Sequence, residues 1–155
     1  MNRKVVILLS GLLVGTMDIL AAFIDYYIQT GKGPEGVLRF IASGAFGTEA
    51  FIGPSTAVWW GLLFHYCFAM AWTALFFWLY TKFNLRDFNY IFLAILYGIA
   101  ISIIMNLIVM PLSKTPAIPL SAGRMLKAML ILIAMIGLPL ATIARNHFSV
   151  KYEGE

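Results

Sequence analysis

The chain has 155 residues, 61% of them hydrophobic and only 12% charged, with a net charge of +4. A soluble domain carries about 25% charged residues, so an ordinary water-soluble fold is excluded. The 11 Lys and Arg residues stand singly in loops and at the ends of apolar runs. That placement lacks the basic stripe of a nucleic-acid binder and fits helices ending among lipid headgroups.

The first predicted helix covers Val5–Ile28, an apolar run broken only by Asp18 and Asp25. About 20 apolar residues suffice for a helix to cross a ~30 Å hydrocarbon layer. Arg3 and Lys4 before the run also fit a secretory signal, but Leu20 before Ala21 and Ala22 makes a poor cleavage pattern. A retained first helix is expected. Gly11, Gly15, Asp18, Ala22 and Asp25 follow spacings of 4, 3, 4 and 3, which is one helix face. Gly11-x-x-x-Gly15 lets a second helix approach closely on it.

The connection Gln29–Thr56 opens with the turn signal Gly31-Lys32-Gly33-Pro34. A helix over Glu35–Phe46 follows, with Val37, Phe40, Ile41 and Ala45 at helical spacing and Glu35 and Arg39 as an i,i+4 pair. It is too short to span and is expected to be interfacial or re-entrant. The second span is Ala57–Tyr80, with Gly61, His65, Ala69 and Thr73 on one face and Cys67 as a small packing residue. Lys82, Arg86 and Asp87 make a short polar hairpin to the third span, Tyr90–Met110, which places spans two and three as antiparallel neighbours. Gly98, Ser102 and Asn106 share a face there. Pro111, Pro116 and Pro119 predict a stiff, extended connection to the fourth span, Met125–Ala144. In that span Pro139 frees the carbonyl of Met135 and predicts a kink.

The expected fold is therefore all-α: a polytopic membrane protein whose four transmembrane helices form an antiparallel bundle, with a short interfacial or re-entrant helix in the first loop. Residues 1–155 make a single integral membrane domain. With the N-terminus inside, six cations (Arg3, Lys4, Lys82, Arg86, Arg145, Lys151) face five (Lys32, Arg39, Lys114, Arg124, Lys127). The inner ones sit in the short loop and the tails, where basic residues orient a chain most reliably, so both termini are expected in the cytoplasm.

An ionised Asp at a helix centre costs ~2.5–3.5 kcal/mol on insertion scales, so Asp18 faces protein or water or is protonated. In antiparallel helices Asp18 and His65 lie at depths within roughly 3 Å of each other, which permits a direct or water-bridged contact. Asp25, Asn106 and Lys127 fall in the same outer half, and Asp25 can pair with Lys127 or Arg124. Two readings stand for this cluster of Asp18, His65, Asp25, Asn106 and Lys127. It binds a proton or small solute, or its polar groups only knit helices together. For Asp25 the knitting role is favoured.

Catalytic patterns are poor. Ala42-Ser43-Gly44 lacks the preceding glycine of intramembrane serine proteases, since Ile41 stands there. Asp18 and Asp25 lie about 10.5 Å apart along one helix, too far to share a proton. Gly31-Lys32-Gly33 lacks phosphate-loop spacing. No metal-ligand set and no cofactor motif is present in the pattern, and no enzyme is expected.

From Trp60 to Pro119 the chain resembles a family of small, uncharacterised four-helix bacterial inner-membrane proteins, and more distantly the YagU-type family. The likeness rests on Gly61-x-x-x-His65 in an aromatic-rich span, the charged hairpin, and Pro111-Leu112 followed by Thr115-Pro116. The first loop is shorter than in YagU-type proteins, and Asp18 matches no motif there. The resemblance implies a bacterial cytoplasmic membrane and a four-helix core, and no substrate. The functional expectation is a transport-related, non-enzymatic membrane protein; the alternative is a structural or accessory subunit. The lipid bilayer is the expected surrounding. Because four helices make a narrow bundle, an aqueous path calls for a second copy or a membrane partner.

Overall fold

The computed structural model describes residues 2–116 and 121–148, and among these every regular element is helical. Four helices are long and apolar enough to cross a membrane: α1 (Arg3–Thr30), α4 (Thr56–Lys82), α5 (Tyr90–Leu112) and α6 (Ala122–Phe148). Between the first two lie α2 (Glu35–Phe46) and a single turn, α3 (Glu49–Ile52).

Capping explains why α1 outruns its apolar core. The Asn2 side chain accepts from the Lys4 amide at 3.2 Å. At the other end Gly31 takes φ 68° and returns its amide to the Tyr27 carbonyl. Asn89 caps α5 by accepting from the amides of Ile91 and Phe92. A short 3-10 turn, Leu85–Asp87, fills the hairpin between α4 and α5.

Contacts fix the directions. Arg3 donates to the Thr81 hydroxyl at 2.8 Å, whereas Gly15 lies against Tyr66 and Ala69, so α1 and α4 run antiparallel. Arg145 covers the Tyr90 ring while Gly98 meets Ile133, so α5 and α6 do the same. The second pair comes closest in backbone. A Cβ on Gly137 would stand 2.3 Å from the Ala94 carbonyl oxygen, and one on Gly98 2.7 Å from Ile133 Cα. Only glycine permits that approach.

The short hairpin does not bring the α4 and α5 backbones together along their lengths. They meet through large side chains instead. Tyr97 stacks edge-on against Phe76 and Trp72, and its hydroxyl donates to the Trp72 carbonyl at 2.5 Å. α6 packs against both α1 and α4 and joins the two helical pairs.

Pro111 belongs to α5 rather than to an extended connection, and residues 117–120, with Pro119, lie outside the described part. Each proline-bearing helix widens into one π-helical turn just before its proline. These turns are Met105–Val109 ahead of Pro111 and Ile133–Gly137 ahead of Pro139. A proline clashes with the carbonyl four residues back and offers it no amide. Widening the turn shifts the bonding to i→i−5, as in the Met110 amide to the Met105 carbonyl and the Leu138 amide to the Ile133 carbonyl. The kink expected at Pro139 thus takes the form of a wide turn.

The main core lies toward the end where α1 begins and α6 finishes. Val6, Val14, Phe76, Phe77, Tyr80, Leu93 and Leu140 are among its buried members. A small second cluster, Ala42, Ala50 and Ala57, marks where α2 and α3 meet α4. α2 buries Leu38, Ala42 and Ser43 and approaches so closely that a Cβ on Gly61 would stand 2.0 Å from the Leu38 carbonyl oxygen. Arg39, expected to pair with Glu35, turns to α3 and donates to the carbonyls of Ala50 (2.8 Å) and Gly53 (3.1 Å). The amide of Lys114 donates to the Gly44 carbonyl at 2.9 Å, which ties the two long connections at one end. Cys67 is exposed on α4 instead of packed inside.

Candidate functional site

The seam between α1 and α4 is built on small residues. Gly11 lies under Met70, and Gly15 lies against Ala69 and Tyr66. Such close approach lets short polar contacts form between the helices. The Thr16 hydroxyl gives its proton to the Leu12 carbonyl (2.8 Å), so in its 2.8 Å contact with Tyr66 it accepts and the phenol donates.

His65 lies on the same seam. Its Nε2–H donates to the Gly15 carbonyl at 2.8 Å, and its ring stands edge-on to Tyr66. Of the direct or water-bridged Asp18–His65 contact expected, no direct hydrogen bond is present; the imidazole bonds one turn earlier on α1. Asp18 and the His65 contact at Gly15 therefore stand one turn apart on α1. Asp18 is half-buried, and its carboxylate has no hydrogen-bond partner among the described residues.

Asp25, two turns further on, is held differently. Lys127 at the start of α6 forms an ion pair with its Oδ1, and Gln29 donates to its Oδ2 at 2.5 Å and to its carbonyl at 3.3 Å. Of the two cations named from the sequence, Lys127 forms the ion pair with Asp25. The side chains of Lys127 and Asp25 remain 46% and 27% exposed, so water screens the pair.

Asn106 joins neither group. Its amide donates to the Ser102 carbonyl at 2.8 Å, within the turn where α5 widens. It serves its own helix, satisfying a carbonyl next to the π-helical turn. The five residues therefore divide into an acid–imidazole pair on the α1–α4 seam, an ion pair joining α1 to α6, and a local asparagine.

Two features escaped the sequence reading. One is the pair of wide turns, whose signal was available in the matching positions of Pro111 and Pro139. The other is Thr73, whose hydroxyl is buried on α4 without a hydrogen-bond partner among the described residues. The Ser43 hydroxyl donates to the Phe40 carbonyl at 2.6 Å. No group of three or more His, Cys, Asp or Glu is placed to hold a metal ion among the described residues.

Fold and site together define an all-helical protein, with four helices of membrane-crossing length and an acid–imidazole pair on the seam of the first two. No family model, curated protein or solved structure matches the chain.

Proposed function

We propose that the chain is a multi-pass protein of the cytoplasmic membrane, with both termini inside, whose Asp18–His65 pair accepts a proton or a small polar solute as part of transport. The bilayer reading is supported by large apolar side chains exposed along all four long helices, including Leu8, Leu20, Leu63, Trp78, Leu96, Ile108 and Leu130. Apolar area on that scale suits lipid better than water. The orientation is supported by Arg3, Lys4, Lys82, Arg86 and Arg145 at the end bearing the short hairpin. The inner-membrane location carries over the resemblance to small bacterial inner-membrane proteins.

One observation carries the functional reading. Asp18 is half-buried and has no hydrogen-bond partner among the described residues, whereas Asp25 on the same helix has both oxygens engaged. A carboxylate kept only to fix packing is expected to be hydrogen-bonded to a neighbouring helix, as Asp25 is. A carboxylate kept to exchange a proton needs a lone pair in reserve and an ionisable neighbour to tune it, as Asp18 has in His65. In this reading Asn106 lies outside the site, and Asp25–Lys127 is a clasp at its outer edge.

The second reading is an accessory subunit whose polar groups only hold helices together. Asp25–Lys127 favours it, because that pair does join α1 to α6. Proteoliposomes holding a pH-sensitive dye distinguish the two. Proton flux present in the native protein and lost in Asp18→Asn, with insertion unchanged, supports transport. Flux equal in the native protein, Asp18→Asn and empty vesicles sinks it in favour of the accessory role.

A further inference from the structure

We infer that the cleft beside the α4–α5 hairpin is a binding site for a phosphate-bearing anion. The cleft has a volume of about 380 Å³ and is lined by Arg86, Asp87, Phe88, Asn89, Tyr90 and Arg145. That volume lies in the ~300–1,000 Å³ range of small-molecule sites. It is distinct from the α1–α4 seam, and its argument is independent of Asp18.

The two guanidinium groups come from elements far apart in sequence, the hairpin and the last turns of α6. Folding alone brings them to one cleft. Arg145 lies with its Cζ 4.9 Å from the centroid of the Tyr90 ring. The ring holds the guanidinium at the cleft, and a guanidinium carries five N–H donors in a planar fork that can meet phosphate oxygens in pairs. Arg145 has no carboxylate partner among the described residues. Among the described lining residues the acid is Asp87, 80% exposed in its side chain and 3.9 Å from Arg86 Nε, a contact that water screens.

The rest of this end repeats the pattern. Arg3 lies over Phe148 at 5.7 Å and Lys82 over Trp78 at 4.4 Å. Among the described residues Arg3, Lys82 and Arg145 thus lie over ring faces, and this concentration of cations attracts anions. The rings Phe88 and Tyr90 supply an apolar wall beside the cationic groups. A basic pocket with apolar walls at a helix end suits the phosphate of an anionic lipid headgroup; a soluble phosphate presents the same oxygens.

Two arms distinguish these sources on the detergent-solubilised full chain. In the first, retention of phosphatidylglycerol is measured by native mass spectrometry against phosphatidylcholine. In the second, inorganic phosphate is titrated while the arginine Nε–H signals are followed by NMR. Phosphatidylglycerol retention is expected, weakened about tenfold in Arg86→Gln and in Arg145→Gln and unchanged in Lys32→Gln at the opposite end. Arg145→Lys, which keeps the charge and loses the fork, falls between, and Asp87→Asn tightens binding. Arg145 is exposed, so these variants keep their fold, as helical content verifies. Equal loss in Lys32→Gln would show general charge attraction and overturn the site. Binding of neither probe overturns it as well. A phosphate response without lipid retention assigns the site to a soluble phosphate and overturns the lipid source. The lipid arm rests on the bilayer reading and the phosphate arm does not, so failure of one is distinguishable from failure of the other.

Discussion

Where α1 begins and α6 finishes, the interior is filled by rings. Phe77 packs 5.9 Å from Phe76 and 5.1 Å from Phe148, and Tyr97 closes the gap to α5. Toward the other end the buried cluster is Ala42, Ala50 and Ala57, Gly61 lies against the Leu38 backbone, and Asp18, His65, Asp25 and Lys127 lie along the helix seams. One end uses shape to fix the helices. The other uses close approach and polar contacts. Polar contacts can be rearranged by moving a proton, whereas a packed ring cluster is bistable at best. The division predicts that substitutions of rings at the first end cost stability, and that substitutions of the polar side chains at the other end cost little stability but alter what the protein does.

The largest stability loss is expected for Phe77→Ala. The side chain is fully buried, and its removal leaves a cavity between α4 and α6. In water such a change costs ~3–5 kcal/mol. In a bilayer the unfolded helix already sits among hydrocarbon, so only the packing part is lost, about 2–3 kcal/mol. Reversible unfolding in mixed micelles measures it. A loss below that of Asp25→Asn would break the comparison between the ends.

Glycine substitutions come next, and they discriminate by what the new methyl would meet. At Gly137 and Gly61 the obstacle is a backbone carbonyl, of Ala94 and Leu38 respectively, which cannot turn aside. Alanine there forces the helices apart at a cost of ~1–3 kcal/mol. At Gly11 the obstacle is the sulfur of Met70, the far end of a flexible side chain. Gly11→Ala is expected to cost under about 1 kcal/mol, since Met70 can adopt another rotamer. A loss at Gly11 as large as that at Gly137, in the same unfolding assay, would show that the seam of α1 and α4 is as rigid as that of α5 and α6.

At the polar end, His65→Ala removes one hydrogen bond to the Gly15 carbonyl, a contribution of ~0.5–1.5 kcal/mol. Combined with Asp18→Asn it forms a double-mutant cycle. Non-additive losses are expected, because His65 bonds to α1 one turn from Asp18 on the same seam. Additive losses would detach the imidazole from the acid and leave His65 as a bond between α1 and α4.

The four long helices and the helix over Glu35–Phe46 were legible because each is a long apolar or amphipathic run; the long helices run up to four residues past the expected ends, at α1 because Asn2 and Gly31 cap added turns, whereas the start of α5 at Tyr90 and both ends of the Glu35–Phe46 helix stand where the sequence put them. The candidate polar residues were legible through scarcity, since a membrane-length run tolerates few of them. Their partners were not legible. Arg124 and Lys127 lie within one turn of each other, and which of them meets Asp25 depends on the rotation of α6 about its axis. That rotation is set partly by the wide turn at Ile133–Gly137. A π-helical turn shifts every later side chain around the helix, so spacing counted on an ideal helix misplaces the faces beyond it. The same holds for Asn106, which lies inside the turn at Met105–Val109.

The smallest effect is expected at the clasp between Asp25 and Lys127. Both side chains remain partly exposed, so the attraction is screened and each long side chain loses freedom in forming it; the net contribution is ~0–1 kcal/mol. Neutralising either residue alone, Asp25→Asn or Lys127→Gln, should therefore barely lower stability, and exchanging the charges with Asp25→Lys and Lys127→Asp should restore most of what each reversal loses. The exchange is incomplete for a stated reason: Gln29 donates to Asp25 Oδ2 and cannot donate to a lysine there. A double-mutant cycle in the unfolding assay reads the coupling, and proton flux read on the same variants tells what the clasp does. Unchanged stability with faster flux would mean that Asp25–Lys127 limits access to Asp18 from the outer end. A stability loss as large as that of Phe77→Ala would mean that the polar end is as much a structural core as the ring end.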